Sequence, residues 1–370
     1  WKALLCGGGD DARWCQISDW RMRAESQVGL HASAQRENQR KRARRSCVAH
    51  AGTRRARLRA THLSRMKAMV YKRYGGPEVL ELVDLPEPKV GQSSVMVQVK
   101  AAGLNPADVG LQAGAGDSII DAWFPVIPGW DVAGIVQATG PGVTELRPGD
   151  EVIGFVYEGI LRHGAYAERI AAAVHYFARK PRNATWAQAA GLPLAGLTAY
   201  QAVLRHVQLL KGETLLIHGA AGSVGSLAAQ IALSLGARVI GSASLADEQY
   251  LKSVGVEPVL YGDGLVERVG ELAPAGIDAI LDCAGRTVLA ETSALHRQGT
   301  RVFSIAGQAP GVTTIYARPD QDDLVSLVDL VEAGRLSVRV AATYPLASAA
   351  EAQRALQQGR LSGKIILEVE

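Results

Sequence analysis

Residues 215–225 read LLIHGAAGSVG, an apolar run followed by three glycines spaced Gly-x-x-Gly-x-x-Gly. The apolar run predicts a buried strand over residues 214–218, and the apolar spacing after it predicts a helix over 223–235. Glycines let such a turn approach a pyrophosphate closely, and the free amides at the helix N-terminus attract its charge. We therefore predict a dinucleotide-binding turn whose contact residues are Gly219, Ala221, Gly222, Ser223, Val224 and Gly225.

The sequence after this turn continues to alternate strand and helix patterns. Further strands are predicted over residues 238–242, 258–261, 277–282 and 300–305, and another helix over 247–254. This alternation is typical of a parallel, doubly wound α/β sheet with right-handed crossovers. We assign residues 189–318 to this dinucleotide-binding domain.

The sequence before residue 189 has a different pattern. From Met66 to about residue 180, short β-rich runs such as 95–99 and 151–155 alternate with Gly and Pro pairs, which predicts a compact, mostly antiparallel β domain. After Asp320 we predict a helix to about Glu332, a strand near 338–342, a helix from Ser348 and a last strand over 364–369.

The end of the second predicted strand bears on the choice of cofactor. It reads Gly241-Ser242-Ala243-Ser244, where a cofactor without a 2′-phosphate usually meets an Asp or Glu. Small hydroxyl residues there leave room for a 2′-phosphate, so Ser242 and Ser244 favour NADPH. NADH use stays open because Asp247 follows closely and the first basic residue after the strand is Lys252.

Charge and cysteines divide the chain unevenly. Residues 1–65 hold 15 of the 40 basic and 5 of the 36 acidic residues, a net charge of +10, whereas the remainder carries −6. We expect this leader to be disordered, and the abrupt change at Met66 favours a natural start there with an upstream artefact before it. A targeting segment or a nucleic-acid-binding arm are the functional alternatives. Cys283 is the only cysteine after residue 47, so a reducing, cytoplasmic setting fits, and no apolar run is long enough for a membrane helix.

Four motifs together resemble one known family. Residues 164–168 (GAYAE), 192–200 (LPLAGLTAY), the glycine turn and 363–367 (GKIIL) resemble the medium-chain dehydrogenase/reductase superfamily, in its zinc-independent quinone oxidoreductase or zeta-crystallin-like branch. The resemblance covers residues 66–370. It implies a GroES-like catalytic domain built from 66–188 and 319–370, a Rossmann domain inserted between them, an active site in the cleft, and a homodimer.

The resemblance also carries an expectation about metal. Zinc-dependent relatives place a His and an acid after a Gly where this chain has Gly129-Trp130-Asp131, and a cysteine ligand where it has Asn105. Because an indole and an amide do not replace imidazole and thiolate at zinc, we expect no metal site and no alcohol dehydrogenation.

Site residues follow from the resemblance position by position. Thr198 matches a threonine on the nicotinamide side, residues 221–224 the pyrophosphate contacts, Ser244 the 2′-phosphate contact, and Tyr261 the tyrosine after the third strand. The backbone of Ile305 and Ala306 should face the nicotinamide. Close relatives often carry an Arg or Lys where this chain has Ala246, which leaves the strength of the NADPH preference open.

Without a metal, the reaction must be one that a positioned hydride performs with modest help. We expect delivery to a quinone, or alternatively to the β-carbon of an α,β-unsaturated carbonyl. Asn105 is the catalytic candidate, and Asp108 and Trp130 are candidates for the substrate cleft. Each also has a structural interpretation: Asn105 as a turn former, Asp108 as an acceptor for backbone amides, and Trp130 as a core residue. An alternative of another class is a low-turnover dinucleotide-binding protein whose basic leader holds nucleic acid.

Overall fold

The computed structural model describes residues 64–285 and 288–370. The expectations for the basic leader therefore lie outside the described residues, apart from its last two positions. The first strand begins at Arg65, one residue before the predicted start of ordered sequence. Among the described residues, no helix is both long and apolar enough to cross a membrane.

Seventeen strands are found in the described part of the chain, most of them short. In chain order they are β1 (Arg65–Val70), β2 (Glu81–Pro86), β3 (Ser94–Leu104), β4 (Asp121–Ala122), β5 (Asp131–Thr139), β6 (Glu151–Phe155), β7 (Ile160–Leu161), β8 (Arg169–Ala173), β9 (Phe177–Arg179), β10 (Thr214–His218), β11 (Arg238–Ala243), β12 (Glu257–Leu260), β13 (Ala279–Asp282), β14 (Arg301–Ser304), β15 (Thr313–Thr314), β16 (Val340–Pro345) and β17 (Lys364–Glu368).

Nine α-helices are found in the same described residues. They are α1 (Pro106–Gln112), α2 (Trp186–Ala190), α3 (Pro193–Gln201), α4 (Ser223–Ser234), α5 (Glu248–Ser253), α6 (Leu265–Leu272), α7 (Val288–Glu291), α8 (Gln321–Glu332) and α9 (Ala349–Gln358). A π-helical turn, Ala202–Val207, continues α3, and short 3-10 turns lie at Pro77–Val79, Val174–Tyr176, Leu245–Asp247, Ser293–Leu295 and Leu346–Ser348.

One sheet is parallel and has the strand order β12-β11-β10-β13-β14-β15. In terms of sequence this is order 3-2-1-4-5-6, the arrangement of a Rossmann dinucleotide-binding fold. Its central strand β10 buries Leu215 and Ile217 in one apolar cluster and Leu216 in another, so both faces are covered. The prediction of a doubly wound parallel sheet is confirmed.

The second sheet contains β16-β17-β3-β5-β6-β9, with β8 also paired to β3. All of its pairs are antiparallel except β16 with β17. Along β3 the buried residues Val95, Val97 and Val99 alternate with partly exposed ones, as expected for a strand with one face on the core. This β-rich unit is GroES-like. Its last strand, β17, pairs with the end of β3 and so returns the chain terminus to the start of α1.

Several predicted boundaries are wrong by one to three residues. The strand predicted over 338–342 is β16, Val340–Pro345, and the helix predicted over 247–254 is α5, preceded by the 3-10 turn Leu245–Asp247. The two-residue strand β15 and the π-helical turn were not predicted, because neither is long enough to produce a hydrophobic period.

Candidate active site

The glycine turn leaves β10 and enters α4 with the geometry that a phosphate cradle requires. Gly219 adopts a positive φ of 69°. A Cβ on Gly225 would lie 2.3 Å from the Gly219 carbonyl oxygen, so a side chain there would open the turn. Gly222 is the residue before the first turn of α4. The first amides of that helix, from Ser223 to Gly225, have no partner within the helix and are the groups that would receive a pyrophosphate.

Ser242 lies beneath this turn rather than beside it. Its side chain is buried, and its hydroxyl is 3.2 Å from His218 Nδ1 and 3.4 Å from the Gly219 amide nitrogen, which donates to it. The other ring nitrogen of His218 is 3.3 Å from the Thr292 hydroxyl. Burial lowers the pKa of His218 to about 4, so the ring is neutral at pH 7. Ser242 and His218 therefore support the turn from inside.

Ser244, the predicted 2′-phosphate contact, is partly exposed at the end of β11. Its hydroxyl donates to Asp247 Oδ2 at 2.7 Å. Tyr261 lies just past β12 with 57% of its surface exposed, and its amide donates to the Ala243 carbonyl. Both residues border the edge of the parallel sheet at which its strands end, the edge where dinucleotides bind in this fold.

The segment predicted to face the nicotinamide follows β14. The Ile305 amide donates to the Asp282 carbonyl at 3.0 Å, and the Ala306 amide donates to the Ser304 hydroxyl at 3.1 Å. Ser304 in turn donates to Asp282 Oδ2 at 2.8 Å, and both side chains are buried. These bonds fix the path of the loop at the end of β14.

Thr198 is on α3, which packs against α4, the helix that follows the glycine turn. Its hydroxyl is held by the Leu194 carbonyl at 2.6 Å, one helical turn earlier. The Leu194 amide at the start of the same helix donates to Asp131 Oδ1 at 2.7 Å. The threonine is thereby connected, through the first turn of α3, to the second sheet.

Asn105 belongs to a buried polar cluster at the junction of β3, β5 and β17. Its amide nitrogen donates to Asp131 Oδ2 at 3.0 Å, and its amide oxygen accepts a hydrogen bond from Lys364 Nζ. Lys364 is only 2% exposed and also forms an ion pair with Asp131 Oδ2 at 2.8 Å. The ammonium and the carboxylate therefore fix the orientation of the Asn105 amide from both sides.

Asp108 lies in the first turn of α1 and is likewise buried. It accepts from the Asn105 backbone amide at 2.9 Å and from the Tyr166 hydroxyl at 3.1 Å. Burial, together with the nearby charge of Asp131, raises the pKa of Asp108 to about 7. The residue thus has the structural role of an acceptor that stabilises the start of α1, yet it also borders a small cavity shared with Tyr71, Trp130 and Glu158.

Trp130 is partly buried and packs edge to face against Tyr157, with ring centroids 5.0 Å apart, and against Phe155 at 5.9 Å. It also lines the small cavity that Asp108 borders, an arrangement compatible with both the core and the cleft interpretations. Trp123, by contrast, is half exposed under the Arg162 guanidinium.

The structure brings the predicted residues together in two places: the glycine turn with the strand ends beside it, and the polar cluster around Asn105. Three further residues of these sites, Lys364, Tyr166 and Arg339, were not predicted from the sequence. Lys364 was quoted as part of a motif without a role, and its signal was a lysine opening an otherwise apolar final strand. Tyr166 lay in another quoted motif. Arg339, which pairs with Asp247, gave no local sequence signal because the two residues are 92 positions apart.

Comparison with known proteins agrees with this architecture. Residues 91–182 match the alcohol dehydrogenase GroES-like domain, and residues 255–367 match the zinc-binding dehydrogenase family. A chloroplastic NADPH-dependent alkenal/one oxidoreductase of Arabidopsis thaliana is 32% identical over 313 residues, covering 82% of this chain and 79% of that protein. The human quinone oxidoreductase is 29% identical over 337 residues, covering 83% and 99%. The solved quinone oxidoreductase of Coxiella burnetii superposes with a TM-score of 0.73 at 28% identity, over 83% of this chain and all of that one.

The fold, the glycine turn and these relatives define a nicotinamide-dependent oxidoreductase. The chain belongs to the medium-chain dehydrogenase/reductase superfamily, and within it to the zinc-independent quinone oxidoreductase branch.

Proposed function

We propose that this enzyme transfers a hydride from NADPH to a quinone and does so without zinc. The observation that carries the proposal is the buried cluster of Lys364, Asp131 and Asn105. An ammonium there already neutralises the carboxylate at 2.8 Å, and the neighbouring Asn105 and Trp130 are not residue types that zinc recruits. The ion pair is neutral as a whole, and its two partners hold the Asn105 amide in place through the protein's own residues.

The glycine turn fits the cofactor by its shape. Gly219 has a positive φ of 69°, and Gly225 leaves room for the Gly219 carbonyl, which a Cβ would meet at 2.3 Å. The free amides at the start of α4 follow directly after this turn. When bound there, the nicotinamide supplies the hydride, and the chain's part is to orient the cofactor and the acceptor.

Asn105 is the proposed group that touches the acceptor oxygen. One N–H of its amide is taken by Asp131, whereas the other lies at the longer distance of 3.5 Å from Asp108 Oδ2. Lys364 binds the amide oxygen, which polarises the amide and strengthens it as a donor. The weakly held N–H is therefore the donor available to an acceptor oxygen that gains negative charge during hydride transfer.

Reduction of an α,β-unsaturated carbonyl is the second candidate function. It is favoured by the similarity to the alkenal/one oxidoreductase and by Asp108. Hydride addition to the β-carbon leaves an enolate that needs a proton. A carboxyl whose pKa is raised to about 7 beside a cavity is partly protonated at neutral pH and suits that task.

The domain boundaries, the oligomeric state and the cellular setting are further proposals. We propose residues 66–188 with 319–370 as the catalytic domain and 189–318 as the cofactor domain, a homodimer, and a cytoplasmic setting consistent with the single cysteine after residue 47. The alternative of a low-turnover protein with a nucleic-acid-binding leader concerns residues 1–63, outside the described range. It predicts salt-dependent binding to nucleic acid that is lost when the leader is deleted.

The test is a matched assay of the full chain in which NADPH and NADH are each offered with a panel of quinones and enones. We expect acceptor-dependent NADPH oxidation, faster than NADH oxidation, with quinones as the better acceptors. Faster turnover of enones would select the second candidate. Cofactor binding without turnover of any acceptor would overturn both reductase functions and favour the binding protein.

A further inference from the structure

The carboxylate of Asp247, in the 3-10 turn after β11, accepts hydrogen bonds from residues next to both sheets of the molecule. Asp247 Oδ2 accepts from the hydroxyls of Ser244 at 2.7 Å and Ser362 at 2.8 Å, and Oδ1 forms an ion pair with Arg339 Nη1 at 2.8 Å. Ser244 follows strand β11 of the parallel sheet, whereas Arg339 directly precedes β16 of the GroES-like unit and Ser362 lies two residues before β17. The carboxylate therefore connects the two domains at the edge of the cofactor site.

The donors around Asp247 are those that a phosphate monoester would attract. A guanidinium presents five N–H groups in a planar fork, and hydroxyls complete the coordination of phosphate oxygens. The guanidinium of Arg339 lies over the ring of Tyr250, 4.1 Å from its centroid, which fixes the plane of the fork. The Arg339 side chain is 26% exposed, and it shares the Asp247 carboxylate with Ser244.

A second cation near Ser244 is engaged differently. Arg268 shares a cavity with Ser244, but its guanidinium donates to the backbone carbonyls of Leu260 and Asp263 at 2.7 and 2.8 Å. Arg268 thereby stabilises the turn between β12 and α6. Arg339, bound to a carboxylate rather than to the backbone, is the cation that another anion can engage.

We propose that Arg339 recognises the 2′-phosphate of NADPH together with Ser244, and that Asp247 is a built-in competitor for the same donors. This inference rests on the proposed use of NADPH. When the 2′-phosphate is absent, Asp247 binds Arg339 and the serine hydroxyls. When the 2′-phosphate is present, it shares these donors with Asp247 or displaces the carboxylate from them. The enzyme thus prefers NADPH to a degree set by the competition and still accepts NADH. Relatives often have an Arg or Lys at the position of Ala246, and in this chain Arg339, from the C-terminal part of the sequence, takes the place of that cation.

The experiment measures dissociation constants of the full chain for NADPH, NADH and adenosine 2′,5′-bisphosphate by calorimetry. In Arg339→Gln, binding of the two 2′-phosphorylated ligands should weaken about ten- to a hundredfold, the loss of one charge-assisted hydrogen bond, while NADH changes less than about threefold. Asp247→Asn should shift the preference further toward NADPH. Arg339→Lys, which keeps the charge without the fork, should fall between wild type and Arg339→Gln.

Arg335→Gln is the matched control, because it removes an equally charged, exposed arginine four positions earlier and should leave all three constants unchanged. Equal weakening of NADPH and NADH in Arg339→Gln would overturn the inference and leave Arg339 a purely structural link between domains. Loss of the preference in Arg268→Lys instead would assign the 2′-phosphate to the other cation. These constants need no acceptor, so a failure of the proposed reductase activity is seen separately.

Discussion

Replacing Lys364 with methionine would expose how much the molecule depends on its buried cation. Methionine has a similar length and fills the apolar part of the space, so the change removes mainly the charge. Asp131, which is fully buried, would keep its bonds from Asn105 Nδ2 and the Leu194 amide but would lose the ammonium at 2.8 Å. Leaving one charge of a buried pair uncompensated costs about 3–5 kcal/mol, and we expect this loss in the free energy of unfolding.

The double variant Lys364→Met with Asp131→Asn tests the reason for that cost. It removes both charges, and the new amide oxygen can still accept from the Leu194 amide. We therefore expect the double variant to recover at least about 2 kcal/mol relative to Lys364→Met, a coupling typical of residues in direct contact.

Urea unfolding followed by tryptophan fluorescence measures these differences. Lys72→Met is the matched control, because Lys72 pairs with Glu81 at 2.7 Å, close to the 2.8 Å of the buried pair, and both of its side chains are more than half exposed. This surface pair should contribute less than about 1 kcal/mol. A loss of under 1 kcal/mol in Lys364→Met, or a double variant no more stable than the single one, would refute the reasoning.

Three further predictions concern the cofactor turn and the polar cluster. Gly225→Ala places a Cβ 2.3 Å from the Gly219 carbonyl oxygen and should weaken NADPH binding at least about tenfold, whereas Gly270→Ala on α6, with nothing within 4 Å, should leave binding unchanged in the same titration. Burial lowers the pKa of His218 from 6.5 to about 4, so the unfolded chain binds a proton before the folded one does and stability falls as the pH drops through that window. Relative to His218→Asn, the wild type should lose about 3 kcal/mol in free energy of unfolding between pH 6.5 and 4, measured by urea unfolding. An equal loss in the wild type and in His218→Asn would contradict this prediction. Asn105→Ala should lower the rate of hydride transfer about ten- to a hundredfold in stopped-flow measurements without weakening NADPH binding more than about threefold, and an unchanged rate would remove Asn105 from the reacting site.

The cofactor domain was predictable because its signals are local. The run around Leu216 is apolar on both faces, the glycines follow it at fixed spacing, and Ser223 opens a helix, so strand, turn and helix could be placed to within a residue or two. The antiparallel unit was predicted only as a class, since its pairing depends on contacts between distant segments such as β3 with β17.

The polar contacts around the site were harder to predict from the sequence. Asn105 was identified, but Lys364 and Asp131 meet it only because β17 returns beside β3, 259 residues along the chain from Asn105 to Lys364. Ser242 illustrates the opposite case, because its position at a strand end suggested the cofactor while the structure turns its hydroxyl inward to the Gly219 amide. Whether each predicted contact residue touches the cofactor stays a prediction.

The most direct test of the central claim is turnover by protein whose metal content has been measured. The full chain, dialysed against a chelator and shown by elemental analysis to hold less than about one zinc per ten chains, is given NADPH and a quinone. We predict that acceptor-dependent NADPH oxidation continues at the undialysed rate and that added zinc does not increase it. Activity lost with the metal and restored by zinc would contradict a zinc-free hydride transfer.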